Sequence, residues 1–319
     1  MAKIDRVLRS NLKLRHLQML VALDQFRHLG RAAEFLSVTQ PAVSKTLAEI
    51  ERMFGLPLFE RSTRGTEPTA AGASVVRFAR SVLAGYDRTR DEIAAEASGA
   101  VGRTSVGAMV AATPVLLAQA VEMLKARSRR TTVLIDEGDL TRLLPKLRLG
   151  ELDLFVGRLE PGYASPDLET EALYGDPMVA VAHPTHPLAR KRKVGWAEVA
   201  AQPCVLPPPW ASLRVKLEQQ FFAHGLHPPQ DIIESASFLS QISFVQQRGA
   251  VAFMARTVGR HYAAQGLVAV LALPVPVDLP PVGLITLRGQ RPTPTTGLLV
   301  ECLREVAAGI QGKGTRRPR

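Results

Sequence analysis

Cysteine is nearly absent: the 319 residues include two, Cys204 and Cys302. Two thiols make neither a disulfide framework nor a four-ligand metal site, and they read as reduced, buried residues of a cytoplasmic protein. Long apolar runs are missing as well. Although 46% of the residues are hydrophobic, no stretch approaches the roughly 18–20 uninterrupted apolar residues of a membrane span. The mixed-charge start Met1-Ala-Lys-Ile-Asp-Arg also lacks the apolar segment of a signal peptide. A membrane partner and a periplasmic binding protein are therefore not expected. The motifs of common enzyme chemistry are missing too: there is no P-loop, no Gly-x-Ser-x-Gly, no zinc spacing and no glycine-rich dinucleotide fingerprint. The segment His183-Pro184-Thr185-His186-Pro187 offers only two ligands and reads as a loop, as does the solvated run Lys191-Arg192-Lys193. No enzyme activity, metal or cofactor is expected.

What is present is a divided charge. Residues 1–90 carry 15 Lys and Arg against 8 Asp and Glu, residues 91–312 carry 21 of each, and Lys313 to Arg319 adds four more cations. A basic head on a neutral body suits a polyanion-binding module joined to a domain that binds no polyanion. An Arg- and Ala-rich composition weakens that inference, so pattern must carry it.

The pattern is specific. Leu14 to Phe26 and Gly30 to Leu36 read as helices, the second kept slim by Ala32 and Ala33. After the polar turn Ser37-Val38-Thr39, a third helix carries Val43, Leu47, Ile50 and Phe54 on one face and stops at Gly55. Thr39 is placed to cap it, and Pro41 falls in its first turn, where a missing N–H costs nothing. Two helices joined by a tight polar turn form a helix-turn-helix. Leu58–Arg61 and Thr66–Thr69 read as strands around the tip Ser62-Thr63-Arg64-Gly65, a wing. A long helix then runs to about Ser98, with Val75, Ala79, Val82, Tyr86 and Ile93 spaced as in a coiled-coil seam. That stripe serves either dimerisation or packing on its own domain.

From Thr104 onward strands and helices alternate, beginning with a βαβαβ run over Ser105–Val156 that predicts a parallel sheet. Further strands are expected at Met178–Ala182, Cys204–Leu206, Ile232–Glu234 and Val251–Phe253, with helices at Ser212–His224 and Leu239–Gln247. Val282–Leu287 and a helix from Thr296 to Ala308 read as the chain returning to the first sheet along the Pro-rich stretch Leu273–Pro281.

Residues 14–72 resemble the DNA-binding domain of LysR-type transcriptional regulators, above all in Ala32-Ala33-Glu34-Phe35-Leu36-Ser37-Val38-Thr39-Gln40-Pro41-Ala42-Val43-Ser44. Leu56-Pro57-Leu58-Phe59-Glu60-Arg61 and Pro68-Thr69-Ala70-Ala71-Gly72 resemble that family's wing and the start of its linker helix. Gly30-Arg31-Ala32-Ala33 and Pro41 to Leu47 are similar to regulators of protocatechuate and sugar uptake or catabolism. The resemblance implies an α/β chain with a winged helix-turn-helix over 1–70 and a linker and dimerisation helix over 71–99. It implies an effector domain of periplasmic-binding-protein type over 100–312, ahead of a basic tail, 313–319. That domain would have two subdomains, about 100–173 with 280–312, and about 174–279. It further implies a homotetramer on double-stranded promoter DNA, RNA polymerase as a partner, and a small-molecule inducer in the cleft.

On this resemblance the reading helix presents Thr39, Gln40, Pro41, Ala42, Ser44 and Lys45 to DNA. Gln40 suits a bidentate pairing with adenine, and Ala42 suits a thymine methyl. Arg31 would sit near the phosphate backbone, with Arg64 at the wing tip; Arg61 serves either DNA or a structural ion pair. Many relatives carry Ser or Thr just before the double alanine as a cap or phosphate contact, where this chain has His28-Leu29-Gly30. Inducer contacts are expected where helices start at strand ends, at Met109, Ala111 and Thr113, at Leu140 and Thr141, at Trp210 and Ser212, and at Ser237 and Phe238. Helix capping explains these polar residues equally well, Thr113 before Pro114 in particular. Trp210 either stacks on a ring or covers a core edge.

Overall fold

The computed structural model describes residues 2–62, 65–98, 102–209 and 211–314. The chain divides into two compact units, Met1–Val101 with Pro145–Leu152, and Gly102–Leu144 with Asp153–Arg319.

The first unit opens with α1 (Ala2–Arg6) and a π-helical turn, Val7–Asn11, followed by α2 (Leu14–Phe26), α3 (Leu29–Phe35) and α4 (Gln40–Phe54). Leu20 and Leu23 of α2, Ala32 and Ala33 of α3, and Val43, Leu47 and Ile50 of α4 share one core. The small side chains of α3 let α2 and α4 close over it. The turn between α3 and α4 is set by Ser37 at φ 55°, with Ser37 N–H donating to Glu34 O (3.0 Å) and Val38 N–H to Ala33 O (2.9 Å). These bonds satisfy the last carbonyls of α3. Strands β1 (Phe59–Ser62) and β2 (Gly65–Pro68) pair antiparallel as the wing. Glu51 of α4 anchors the approach to it, its Oε1 accepting Leu58 N–H (2.8 Å) and Phe59 N–H (3.1 Å). The wing returns to α2 through Thr66 N–H and Arg27 O at 2.9 Å. Gly65 has φ +133° there, and a Cβ on it would lie 2.7 Å from the same oxygen, so that turn requires glycine. Helix α5 (Ala70–Ser98) follows.

In the second unit one sheet has the order β4-β3-β5-β12-β6 and the other β11-β7-β10-β8-β9. The first comprises β3 (Arg103–Ala108), β4 (Thr132–Glu137), β5 (Leu154–Arg158), β6 (Leu168–Tyr174) and β12 (Val282–Leu287). The second comprises β7 (Met178–Ala182), β8 (Cys204–Leu206), β9 (Ile232–Glu234), β10 (Val251–Ala255) and β11 (Ala269–Val270). The helices between them are α6 (Ala118–Arg127), α7 (Leu140–Leu149, counted with the first unit from Pro145 on), α8 (Trp196–Ala200), α9 (Ser212–Ala223), α10 (Phe238–Arg248) and α11 (Arg256–Ala264), and α12 (Pro294–Gly314) comes last. β3 pairs parallel with β4 and β5, and β8 pairs parallel with β9 and β10, as the alternation predicts.

The chain passes between the sheets twice. It leaves at Gly175–Pro177, after Tyr174, and returns along the Pro-rich stretch to Val282, which lies opposite both Arg158 and Tyr174. At the other end of the first passage, Met178 pairs with Ala255, the last residue of β10. Both passages therefore join the carboxyl edge of one sheet to the carboxyl edge of the other. In open α/β sheets that edge is where ligands bind.

Three sequence expectations change here. Helix Pro114–Arg127 starts as a π-helical turn, Thr113–Leu117, whose N-cap is Ala112; Thr113 is not the cap, and its hydroxyl donates to Met109 O at 3.4 Å. Thr39 holds the cap position of α4 without a side-chain cap bond. In the long helix, Val75 and Ala79 are buried in their own unit, whereas Tyr86 and Ile93 are exposed. The stripe thus divides: its first turns pack at home and its later residues face outward.

Candidate DNA-reading and effector sites

Arg31, Thr39, Gln40, Pro41, Ala42 and Lys45 are all exposed, as is Arg61 of the wing. Arg61 Nη2 donates to Ser44 Oγ at 3.0 Å, which ties β1 to the first turns of α4. Of the two readings left for Arg61, the bond seen is to a hydroxyl. Arg64 lies outside the described residues. The segment that replaces the usual hydroxyls keeps a cap by other means: His28 Nδ1 accepts Gly30 N–H (3.0 Å) and Arg31 N–H (3.4 Å) at the start of α3. Gly30 leaves room for that ring, since a Cβ there would stand 3.1 Å from His28 Cε1 and 3.7 Å from Gln40 Oε1. A histidine cap was not readable from the usual Ser, Thr, Asp or Asn signal. Nearby, Arg27 pairs with Asp24 at 2.9 Å and with Glu67.

At the carboxyl edge of the first sheet, Met109 N–H donates to Val156 O (2.9 Å) and Met109 Sδ accepts Arg158 N–H (3.3 Å). Ala111 and Thr113 are half-buried beside it. Leu140 is buried, and Thr141 is exposed with its hydroxyl on Asp139, which also accepts Arg142 N–H at 3.0 Å. Asp139 therefore caps α7, and bonds from Thr141 and the Arg142 N–H hold its carboxyl below the usual range. At the edge of the second sheet, Ser237 caps α10 through Ser240 N–H (3.4 Å) and Phe238 is half-buried. Ser212 opens α9, and Trp210 lies outside the described residues. Arg214, buried in α9, donates to Glu218 (2.6 Å), Glu234 (3.0 Å) and Pro207 O (3.0 Å).

Sequence reading placed the return passage along Leu273–Pro281 but missed the residue that holds both passages. Arg158 is buried and donates to Pro280 O on the return passage (2.9 Å) and to Asp176 O on the outgoing one (2.8 Å). One guanidinium thus pins both crossings. Burial holds its pKa below the usual arginine value, with Asp176 acting in the opposite direction. An arginine at a strand end gives no periodic signal, and only the fold reveals its position.

His183 and His186 each turn their Nδ1 to local partners, Thr185 and the Leu188 N–H, and no group of metal-ligating side chains occurs among the described residues. No helix among them is long and apolar enough to cross a membrane. Burial first, then Asp231, pushes the Cys204 thiol up to about 12, and burial also raises Cys302. Ellman's reagent is accordingly expected to find no promptly reactive thiol in the native chain at mildly alkaline pH and both after denaturation. Prompt native reaction of either would contradict this burial.

Comparison with known proteins matches two segments of the chain. Residues 14–73 match "Bacterial regulatory helix-turn-helix protein, lysR family", and residues 97–308 match "LysR substrate binding domain". The chain is 30% identical over 300 residues to the HTH-type transcriptional regulator GbpR of Azospirillum brasilense, covering 93% of this chain and 87% of that one. It is 29% identical to the regulator PcaQ of Agrobacterium fabrum, covering 94% and 96% of the two chains. Among solved structures, CbnR, a LysR family transcriptional regulator, superposes with a TM-score of 0.69 at 21% identity, covering 93% and 99%. Full-length CbnR complexed with its target DNA gives 0.68 at 21% identity, covering 92% and 100%. With both its helix-turn-helix and its substrate-binding domain matched, this chain belongs to the LysR family of transcriptional regulators.

Proposed function

We propose that this regulator reads promoter DNA with Thr39, Gln40, Pro41, Ala42, Ser44 and Lys45, flanked by Arg31 and by Arg61 and Arg64 of the wing. The Arg61–Ser44 bond carries the reading, because it presents wing and reading helix as one exposed surface. Gln40 and Ala42 address base edges, while Lys45 and the arginines address phosphates. The effector sits between the carboxyl edges of the two sheets, near Met109, Ala111, Thr113, Thr141, Ser212, Ser237 and Phe238, with Leu140 lining from within and Trp210 beside it. Effector binding shifts the balance between two states of the cleft, and thereby the spacing or bending of bound DNA. Footprints on the regulator's own promoter, with and without a bound effector, test this; identical length and bend angle would overturn it.

The working assembly is a cytoplasmic homotetramer acting with RNA polymerase. Two features support its self-association: Tyr86 and Ile93 stand exposed along α5, and Leu134 and Ile135 stand exposed on β4, an edge strand of its sheet. An exposed apolar edge strand offers unpaired backbone groups on which another chain can pair. Ile135→Lys is expected to turn tetramers into dimers in light scattering while leaving the unfolding temperature unchanged; retained tetramers would remove β4 from the interface.

A further inference from the structure

The first N–H groups of α3 are already taken. Gly30 N–H (3.0 Å) and Arg31 N–H (3.4 Å) both donate to His28 Nδ1. A backbone N–H only donates, so Nδ1 is the bare nitrogen of the ring and the proton of the neutral imidazole sits on Nε2. The shape of the ring turns that Nε2–H away from the amides that Nδ1 holds. His28 is exposed, and its Nε2 has no hydrogen-bond partner among the described residues. The cap therefore leaves the Nε2–H free at the surface, held in place by two bonds to the other nitrogen of the same ring.

Around this donor lies the face proposed to meet DNA. A Cβ on Gly30 would stand 3.1 Å from His28 Cε1, 3.2 Å from His28 Nδ1 and 3.7 Å from Gln40 Oε1. One point beside Gly30 is thus within contact distance of both the imidazole and the amide of the reading helix, and the missing side chain gives the ring its place. Arg27, the neighbour in sequence, is spent on Asp24 and Glu67. Arg31 is exposed and makes no ion pair among the described residues. An anion drawn to Arg31 meets at His28 a donor and no open lone pair, because Nδ1 is occupied. We infer that His28 is a DNA contact whose Nε2–H donates to a backbone phosphate beside the base edge that Gln40 addresses, while its Nδ1 caps α3. The neutral ring adds a hydrogen bond without neutralising a charge. The inference rests on the DNA-reading proposal above and adds to it a residue from outside the reading helix.

Binding to operator and non-specific DNA at several salt concentrations, alongside thermal unfolding of the full chain, tests it. Nε2-methylhistidine at position 28 keeps the accepting Nδ1 and removes only the donor. It is expected to unfold at the wild-type temperature and to bind both DNAs about tenfold more weakly, as for a lost hydrogen bond to a charged group. The log–log salt slope is expected to stay unchanged, because no charge is removed. Gly30→Ala is expected to weaken DNA binding as well, since its Cβ displaces the ring. In a His28→Ala background, where no ring remains, Gly30→Ala is expected to change affinity little. Wild-type affinity in the methylated protein would make His28 a cap alone and overturn the contact. A slope lowered by about 0.9 would show a protonated, charge-neutralising ring and overturn the neutral donor. Equal effects of Gly30→Ala in both backgrounds would overturn the placement of the ring against position 30. Arg31→Ala and Lys45→Ala separate the two proposals. If both bind as wild type, the DNA-reading face itself fails; if they weaken binding and the methylated protein does not, only the His28 contact falls.

Discussion

Replacing Gly72 with alanine is expected to unfold the junction between wing and linker helix and to abolish DNA binding. A Cβ at 72 would lie 1.8 Å from Leu58 O and 2.8 Å from Leu58 C. Neither side is free to give. Leu58 O already accepts Thr69 N–H (2.9 Å) and the Thr69 hydroxyl (3.3 Å), and that hydroxyl accepts Gly72 N–H (3.0 Å). Leu58 itself is fully buried in the core of the helix-turn-helix unit. Overpacking commonly costs about 1–3 kcal/mol, and backbone meeting backbone belongs at or above the top of that range. Gly85 provides the control within the same helix: nothing lies within 4 Å of its added Cβ. Gly85→Ala should stabilise by up to about 1 kcal/mol through helix propensity alone. Denaturant unfolding of both variants checks the pair, and equal behaviour would show that the close approach at Leu58 is absent in solution.

The second large effect concerns sequence reading. Gln40→Ala is expected to weaken binding to the specific operator by about 1–3 kcal/mol while leaving non-specific DNA almost untouched, as for a lost bidentate base contact. Lys45→Ala should weaken both. Arg61→Ala should lower the log–log salt slope by about 0.9 if the guanidinium neutralises one phosphate, and it also releases Ser44 from the wing. Titrations at several salt concentrations separate the three. Unchanged affinity and slope in all of them would remove this face from the DNA.

How much of this was legible beforehand depended on periodicity. The helix-turn-helix was readable because Val43, Leu47, Ile50 and Phe54 recur on one face and all are buried there. The parallel strands were readable because they are short apolar runs between helices. β6 was not, since Leu168 and Tyr174 enclose Glu169, Thr170 and Glu171, a mostly exposed edge that reads as loop. α11 was hidden by Gly259, where an added Cβ would stand 2.9 Å from Val179 Cγ2, so the glycine that blurs the helical pattern is what lets the helix approach β7. At the candidate sites, exposed polar residues at helix starts were legible as types. Arg158 was not, because its significance comes from being doubly engaged after the chain has crossed and returned.

That return has a consequence for the order of synthesis. The core of the first sheet is completed by Leu299, Cys302, Leu303 and Val306 of α12, packed against Val106 of β3, Leu154 of β5 and Leu284 of β12. Its earliest strand therefore waits nearly two hundred residues for its last partner. The inserted second sheet, by contrast, has all its strands by Val270. On the ribosome the inner subdomain can close before the outer one that encloses it in sequence, reversing the usual amino-to-carboxyl order. A break or stop codon within α12 would then leave a finished inner subdomain tethered to an unfinished one, with the apolar face of the first sheet uncovered and open to aggregation.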